Sequence, residues 1–260
     1  MAAVISAARL ARTFRTKAGP VDAVRGIDLT VHEGEILGFL GPNGAGKTTT
    51  LRMLTTLLKP TGGTATVAGH DLASDPARVR RACGYVAQAG GVDPQITVRE
   101  ELVTQGRFYR LSKADAVART GELARDLGLI GLLDRKAGAL SGGQRRRLDI
   151  AMALTHRPAV LFLDEPTTGL DPGSRADLWD LVRRLRDEGT TVFLTTHYLD
   201  EADALADRLV IVDRGVVAAE GTPAALKLEY GGSLDATLQD TFLAVTGRAP
   251  APADDTPVAV

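Results

Sequence analysis

The sequence of 260 residues contains one cysteine and one asparagine. Because Cys83 is the only thiol, no intramolecular disulfide can form, which favours a reducing cytosolic setting. We expect Cys83 to be a small buried residue. Asn43 precedes Gly44 and Ala45, so it does not fit the glycosylation pattern Asn-x-Ser/Thr. The same neighbours exclude the guanine-reading motif Asn-Lys-x-Asp.

Long uncharged stretches are also absent. The longest runs without Asp, Glu, Lys or Arg are eleven residues, among them 36–46 and 82–92. A membrane-spanning helix needs about 20 consecutive apolar residues. Residues 1–8 are mildly apolar with no basic segment before them, so we expect no signal peptide. If the protein works at a membrane, the sequence predicts that another chain spans it.

An excess of positive charge is missing as well. The chain has 31 Lys and Arg against 32 Asp and Glu, a formal net charge of −1, so we expect no nucleic-acid partner. Hydrophobic residues make up 44% and charged residues 24%, which is typical of a soluble globular protein of one or two domains. We interpret the run Arg145-Arg146-Arg147 as a solvated or interface face of a helix.

The order of strands and helices predicts an α/β fold with a largely parallel sheet. Apolar runs indicate strands at 36–40, 64–67, 84–86, 159–163, 191–195, 209–212 and 216–219. Helical spacing indicates helices at 48–58, 177–185 and 199–206, and a mainly helical insertion at about 89–157. Residues 248–260 are rich in Ala, Pro and Asp, and we predict that they are disordered.

A glycine-rich string lies between the first of these strands and its helix. Gly41-Pro42-Asn43-Gly44-Ala45-Gly46-Lys47-Thr48 fits the pattern G-x-x-x-x-G-K-[ST] in the required strand–loop–helix context. Backbone N–H groups of such a loop, with the positive end of the following helix, bind phosphate. Lys47 is expected to reach the β- and γ-phosphates, and Thr48 to ligate Mg²⁺.

Two carboxylates follow the strand predicted at 159–163. Strand ends of this kind carry ligand-binding residues to the carboxyl edge of an α/β sheet. We expect Asp164 to hold Mg²⁺ and Glu165 to be the general base for an attacking water. On its own, such a pair favours a solvated loop or a helix cap over a site. The glycine-rich string is the observation that makes a binding site the better interpretation.

A second possible anion site opens a helix at Leu140-Ser141-Gly142-Gly143-Gln144. Ser141 is a good N-cap, and the two glycines leave backbone N–H groups accessible at the positive helix end. One loop already accounts for the phosphates of one nucleotide. The second site therefore suggests contact with the nucleotide of a partner subunit.

These strings, in this order, resemble the nucleotide-binding subunit of ATP-binding-cassette (ABC) transporters over about residues 4–247. The resemblance equates 41–48 with the Walker A loop, 140–144 with the signature, 161–165 with Walker B and 169–171 with the D-loop. It makes Gln88 the Q-loop glutamine and His197 the switch histidine. Phe14 falls where the family has an aromatic residue that stacks on adenine; a core aromatic residue is the less favoured alternative.

The resemblance implies a specific set of site residues. Catalysis would involve Glu165, His197, Lys47 and Gln88, and the metal ligands would be Thr48, Gln88 and Asp164. ATP contacts are implied for Phe14, Gly41, Pro42, Asn43, Gly44, Ala45, Gly46, Lys47, Thr48 and Thr49, and across a dimer for Ser141, Gly142, Gly143, Gln144 and Asp171.

The resemblance also implies an architecture and partners. It predicts a P-loop NTPase (RecA-like) core with a mainly parallel sheet, an antiparallel β subdomain and the inserted helical subdomain, all in one ABC ATPase domain over residues 1–247. ATP and Mg²⁺ would be bound in a head-to-tail homodimer. That homodimer would be a peripheral protein on the cytoplasmic face of the membrane, attached to integral membrane permease subunits.

Two further segments narrow the resemblance. Residues 97–102, the following stretch 106–112, and residues 238–248 look like those of the ATPases of bacterial daunorubicin and multidrug-resistance exporters. This subgroup implies efflux of a drug or other small hydrophobic molecule, driven by ATP-dependent closure of the dimer. An importer ATPase, or a soluble ABC ATPase acting on ribosomes or DNA, is the alternative.

Overall fold

Two sheets organise the part of the chain, residues 2–247, that a computed structural model describes. The predicted disordered segment 248–260 lies outside these residues. The strands are β1 (Ala3–Thr16), β2 (Gly19–His32), β3 (Ile36–Leu40), β4 (Gly62–Val67), β5 (His70–Asp71), β6 (Cys83–Val86), β7 (Val160–Asp164), β8 (Thr191–Thr196), β9 (Arg208–Asp213) and β10 (Val216–Gly221).

The central sheet has six strands in the order β10-β9-β3-β8-β7-β6. All its pairings are parallel except the hairpin between β9 and β10. Every residue of β3, β7 and β8 is buried, which explains their unbroken apolar runs. The predicted mainly parallel α/β core is therefore confirmed.

Hydrophobic cores cover both faces of this sheet. On one face Phe39, Phe162 and Phe193 pack with ring centroids 5.3 and 5.4 Å apart, under the second, antiparallel sheet of order β2-β1-β4-β5. On the other face residues such as Leu161 and Leu194 pack against helices. The central strands are thereby fixed from both sides, and so are the loops at their ends.

Helices connect the strands and fill the insertion. They are α1 (Lys47–Leu54), α2 (Pro76–Ala82), α3 (Val98–Phe108), α4 (Lys113–Asp126), α5 (Gly142–Leu154), α6 (Pro172–Asp187), α7 (Leu199–Leu205), α8 (Pro223–Gly231) and α9 (Leu238–Thr246). Helices α3 to α5 lie between β6 and β7, within the region predicted to be helical. Across residues 2–247, none of the helices is both long and apolar enough to cross a bilayer.

Three features differ from the expectations drawn from sequence. The 14-residue strands β1 and β2 had no counterpart in the strand pattern, because shifts of register interrupt the alternation of buried and exposed residues. Helix α6 starts at Pro172, five residues before the predicted start, because Asp171 caps it and Pro172 occupies its first turn. Helices α2, α8 and α9 and the two-residue strand β5 were not predicted.

Candidate active site

The carboxyl ends of four neighbouring parallel strands meet at one edge of the central sheet. The glycine-rich loop 41–46 follows β3, Glu165 follows β7, His197 follows β8, and Gln88 lies two residues after β6. Since β3, β8, β7 and β6 are adjacent in that order, the sheet brings the four segments together. Open α/β sheets bind ligands at this edge.

The glycine-rich loop has the backbone conformation that its glycines allow. Gly44 and Gly46 have φ angles of 80° and 104°, in the left-handed region. A Cβ atom on Gly46 would lie 2.5 Å from the carbonyl oxygen of Ala23, so a larger residue cannot take this path. Helix α1 begins at Lys47 without a side-chain cap. Its first N–H groups and its positive end therefore suit an anion such as phosphate.

Lys47 is buried at the centre of the site. Its Nζ atom donates to the carbonyl oxygens of Gly41 (2.8 Å) and Pro42 (3.3 Å), and lies 3.2 Å from Oε1 of Glu165. Burial lowers the pKa of the ammonium group, and the charge of Glu165 acts in the opposite direction. The lysine that the motif assigns to phosphate is therefore paired with Glu165 in this structure.

Glu165 receives contacts from three of the converging segments. Besides Lys47, Nε2 of Gln88 donates to its Oε2 atom at 3.1 Å, and Nδ1 of His197 lies 3.2 Å from the same oxygen without the alignment of a hydrogen bond. Burial raises the pKa of Glu165, but its contacts with His197 and Lys47 outweigh burial and hold the pKa below its usual value. The carboxylate is thus ionised at neutral pH and able to accept a proton.

The backbone of Glu165 is strained. Its φ angle is 46°, in a region that residues other than glycine rarely adopt. The N–H group of Glu165 is held by the carbonyl oxygen of Thr195 (3.1 Å) and by its hydroxyl (3.2 Å). A fixed neighbouring strand thus maintains a conformation that aims the carboxylate into the site.

Two of the residues predicted to ligate a metal, Thr48 and Asp164, lie side by side. The hydroxyl of Thr48 donates to Oδ1 of Asp164 at 3.0 Å, and the hydroxyl of Thr195 donates to the same atom at 2.7 Å. Hydroxyl and carboxylate oxygens are the ligands that Mg²⁺ prefers. These residues therefore fit a magnesium ion.

A cleft of about 450 Å³ contains most of these groups. It is lined by Ala23, Asn43, Gly44, Gly46, Lys47, Thr48, Thr49, Gln88, Glu165, Thr168, His197 and Tyr198. Sequence reasoning missed Ala23, Thr168 and Tyr198. Tyr198 directly follows His197 and Thr168 lies three residues after Glu165, so proximity in sequence was a usable signal for both. Ala23 comes from β2, and its methyl group gives no signal of a site.

The predicted cross-dimer residues lie outside this cleft. Ser141 caps α5 and forms a reciprocal capping box with Gln144, and Asp171 caps α6 through Ser174. A Cβ atom on Gly143 would lie 2.8 Å from the hydroxyl of Ser174, so the two helix starts are in close contact.

Three predicted nucleotide-binding residues and Phe14 also do not line the cleft. Gly41 and Ala45 are buried and Pro42 is half-buried, and the carbonyl oxygens of Gly41 and Pro42 accept hydrogen bonds from Lys47. Phe14 is half-buried on β1, with the guanidinium of Arg12 4.7 Å above its ring. Its contact with adenine stays a prediction.

The interpretation of the arginine run on α5 was wrong for one residue. Arg145 is exposed, but Arg146 is buried and donates to backbone carbonyl oxygens of other segments. Helical spacing accounts for this, because Arg146 lies on the same face of α5 as the buried residues Ile150 and Ala153.

Comparison with known proteins gives this geometry a family. The family model described as ABC transporter matches residues 24–168, which is more than half of the chain.

The chain belongs to the ABC transporter family.

Curated relatives and solved structures place it more closely within ABC transporters. It is 54% identical to the daunorubicin/doxorubicin resistance ATP-binding protein DrrA of Streptomyces peucetius over 82% of this chain and 64% of the relative. It is 42% identical to the Nod factor export ATP-binding protein I of Burkholderia lata over 90% of this chain and 79% of the relative. The chain thus spans about two thirds of the first relative's length.

The fold of the cassette is shared with a solved ABC structure. That structure is a dimeric ATP-binding cassette in a post-hydrolysis state bound to ADP and Pi. It is 27% identical, with a TM-score of 0.75, over 84% of this chain and 98% of the other. The predicted ABC ATPase fold is therefore confirmed, while the domain boundaries and the roles of the site residues stay predictions.

Proposed function

We propose that the chain is the ATP-binding and ATP-hydrolysing subunit of an ABC exporter that energises efflux of a drug or other small hydrophobic molecule. The observation that carries the proposal is the buried carboxylate of Glu165. It lies within hydrogen-bonding distance of Lys47, Gln88 and His197, beside the oxygen pair of Thr48 and Asp164. This set combines a base, a cation and metal ligands at the end of a phosphate-binding loop.

Each residue has a chemical task in this proposal. Lys47 moves from Glu165 to the β- and γ-phosphate oxygens and offsets their charge. Glu165, released from Lys47 and already ionised, accepts a proton from the attacking water. Gln88 and His197 keep the carboxylate and the water oriented. Mg²⁺, held by Thr48 and Asp164, would neutralise charge on the phosphate oxygens.

The dimer supplies the remaining contacts. Ser141–Gly143 lie outside the cleft of their own chain, at the positive end of α5, which is a suitable place for the γ-phosphate bound by a second copy. A ligand shifts a conformational equilibrium only through its different affinity for the two states. ATP that bridges two subunits favours the closed homodimer, and hydrolysis removes the bridge.

The export assignment draws on the relatives. The names of two of them refer to daunorubicin and doxorubicin resistance and to Nod factor export. We propose that this chain likewise acts as a peripheral protein on the cytoplasmic face of the membrane, through separate integral membrane permease subunits.

Gentle detergent extraction of the tagged protein, followed by mass spectrometry of stoichiometric partners, tests this assignment. A multi-spanning membrane protein supports the exporter. An accompanying substrate-binding protein would favour an importer, and ribosomal or DNA-repair proteins without any membrane fraction would contradict transport. Measurement of Mg²⁺-dependent ATP hydrolysis by the purified protein tests the activity itself. If no hydrolysis is found even with the extracted partners present, the proposed ATPase activity is refuted.

A further inference from the structure

One buried arginine joins the signature helix to the two loops that carry Gln88 and Glu165. The guanidinium of Arg146 donates through Nη1 to the carbonyl oxygen of Ala87 at 2.6 Å. Its Nε atom donates to that of Pro166 at 2.8 Å, and Nη2 to that of Asp164 at 3.2 Å. A single planar group thus binds three separate peptide carbonyls.

The positions of these carbonyls make the contact specific. Asp164 and Pro166 are the residues on either side of Glu165, and Ala87 directly precedes Gln88. The two residues so bracketed are in contact with each other, since Nε2 of Gln88 donates to Oε2 of Glu165. A shift of the guanidinium would therefore move both partners of that hydrogen bond.

The burial of the charged guanidinium of Arg146 costs free energy, which a buried apolar side chain at this position would not. Burial lowers the pKa of the guanidinium, and the nearest carboxylate, that of Asp149, lies 3.8 Å from Nη1. Taking a charge out of water costs free energy unless hydrogen bonds replace the water. The three carbonyls provide this replacement, in a forked geometry that lysine cannot reproduce.

Arg146 is also close to the end of α5 that the proposed dimer uses. It lies five residues after Ser141, about 7.5 Å along the helix axis. A helix moves as a rigid body over such a distance. A displacement of Ser141 by a partner's nucleotide would reach the guanidinium, and through it the backbone of Glu165.

We infer that Arg146 is a positioning residue, which couples the place of the signature helix to the orientation of Glu165 and Gln88 in the same subunit. The inference rests on the proposed ATPase function and deepens it. Arg146 touches neither nucleotide nor water in this scheme, and acts through the three carbonyls.

The test compares Arg146→Gln and Arg146→Lys with Arg145→Gln, a matched control on the exposed face of the same helix. For each protein we would measure kcat and KM for ATP, the dissociation constant of ADP and the melting temperature. Small displacements of reacting groups cost up to about 100-fold in rate. We expect Arg146→Gln to lower kcat by about 10- to 100-fold while ADP affinity changes less than about threefold.

Arg146→Lys should recover part of that loss, because it keeps the charge without the fork, and Arg145→Gln should resemble the wild type. Unchanged kcat in Arg146→Gln would overturn the inference. A parallel fall of kcat, ADP affinity and melting temperature would also overturn it, because the role would then be one of folding.

Hydrogen exchange provides a readout that does not depend on turnover. In Arg146→Gln, peptides over 84–90 and 160–168 should exchange faster, with the rest of the chain unchanged. Unchanged exchange in both peptides would contradict the inference. If the wild type lacks ATPase activity and Arg146→Gln still exchanges faster in these two peptides, the proposed function is refuted and the positioning contact stands.

Discussion

The ion pair between Lys47 and Glu165 leads to a two-sided prediction for the variant Glu165→Gln. Hydrolysis should fall by about 10²- to 10⁴-fold, because an amide cannot accept the proton from water. Nucleotide binding should become tighter at the same time. In the wild type Lys47 must leave a carboxylate 3.2 Å away before it can reach phosphate, and in the variant that attraction is missing.

The structure gives the size of the second effect. Two unit charges 3.2 Å apart attract by about 5 kcal/mol at an effective dielectric constant of about 20. Most of this is offset because both groups are desolvated in the pair and regain solvent when it opens. A remainder of about 1–2 kcal/mol corresponds to roughly 5- to 30-fold tighter binding.

The assay should use ADP, which has no γ-phosphate to bridge two subunits, so that dimer formation does not enter the affinity. Isothermal titration of wild type and Glu165→Gln would measure it directly. Glu122→Gln is the matched control, because it removes a carboxylate paired with Arg119 and Arg157 outside the cleft. ADP affinity equal to or weaker than that of the wild type would refute the competition for Lys47.

Thermal unfolding without nucleotide gives an independent check. The contacts of Glu165 lower its folded-state pKa, so its charge stabilises the fold above the unfolded-state value of about 4.5. This stabilisation is lost as the pH falls through the folded-state pKa. Glu165→Gln should therefore melt roughly 2–8 °C below the wild type at neutral pH, and the difference should shrink in acid below 4.5.

Changes at three other positions should give separable results. Lys47→Ala should lose ATP binding and steady-state hydrolysis, because no other ammonium group of the loop can reach the phosphates; unchanged hydrolysis would count against its role. Gly143→Ala should reduce ATP-driven dimers in gel filtration, since its methyl group meets Ser174, and Ser174→Gly should restore them in part; dimers as abundant as before would contradict the tight contact. Burial raises the pKa of Glu201, so its stabilising effect is present below the unfolded-state value and declines as pH rises through the folded-state pKa. The melting temperature of Glu201→Gln relative to wild type should therefore rise from pH 5 to pH 8, and a constant difference would show that Glu201 does not titrate.

The site could be predicted from sequence because its parts are local strings at the ends of strands. A glycine-rich loop before Lys47 and two acids after an apolar run each have a recognisable local pattern. Parallel strands then carry such strings to a common edge, whatever the distance in sequence. The cap at Ser141 was predicted for the same local reason, whereas the cap at Asp171 was missed, because the start of α6 was placed at residue 177.

Contacts made across the fold had no such local pattern. Thr195 holds Asp164 and the N–H of Glu165, but in sequence it is one threonine inside a buried strand. Arg146 is the middle residue of three arginines, and its burial depends on the face of α5 that packs on the core. The spacing of four residues from Arg146 to Ile150 was the signal that Arg146 lies on the buried face of the helix. It was missed because the three arginines were interpreted together as one charged face.

The strand that carries the phosphate-binding loop has a consequence for synthesis of the chain. Both sheet neighbours of β3 are encoded about 150 or more residues later, in β8 and β9. At about 5–20 residues per second, a ribosome needs roughly 10–30 s to translate that interval. During this time all five residues of β3, buried in the finished protein, lack the partners that cover their edges. A nascent chain therefore cannot complete the sheet around its nucleotide site before Asp213 has emerged, and a chaperone that shields β3 would act within this interval.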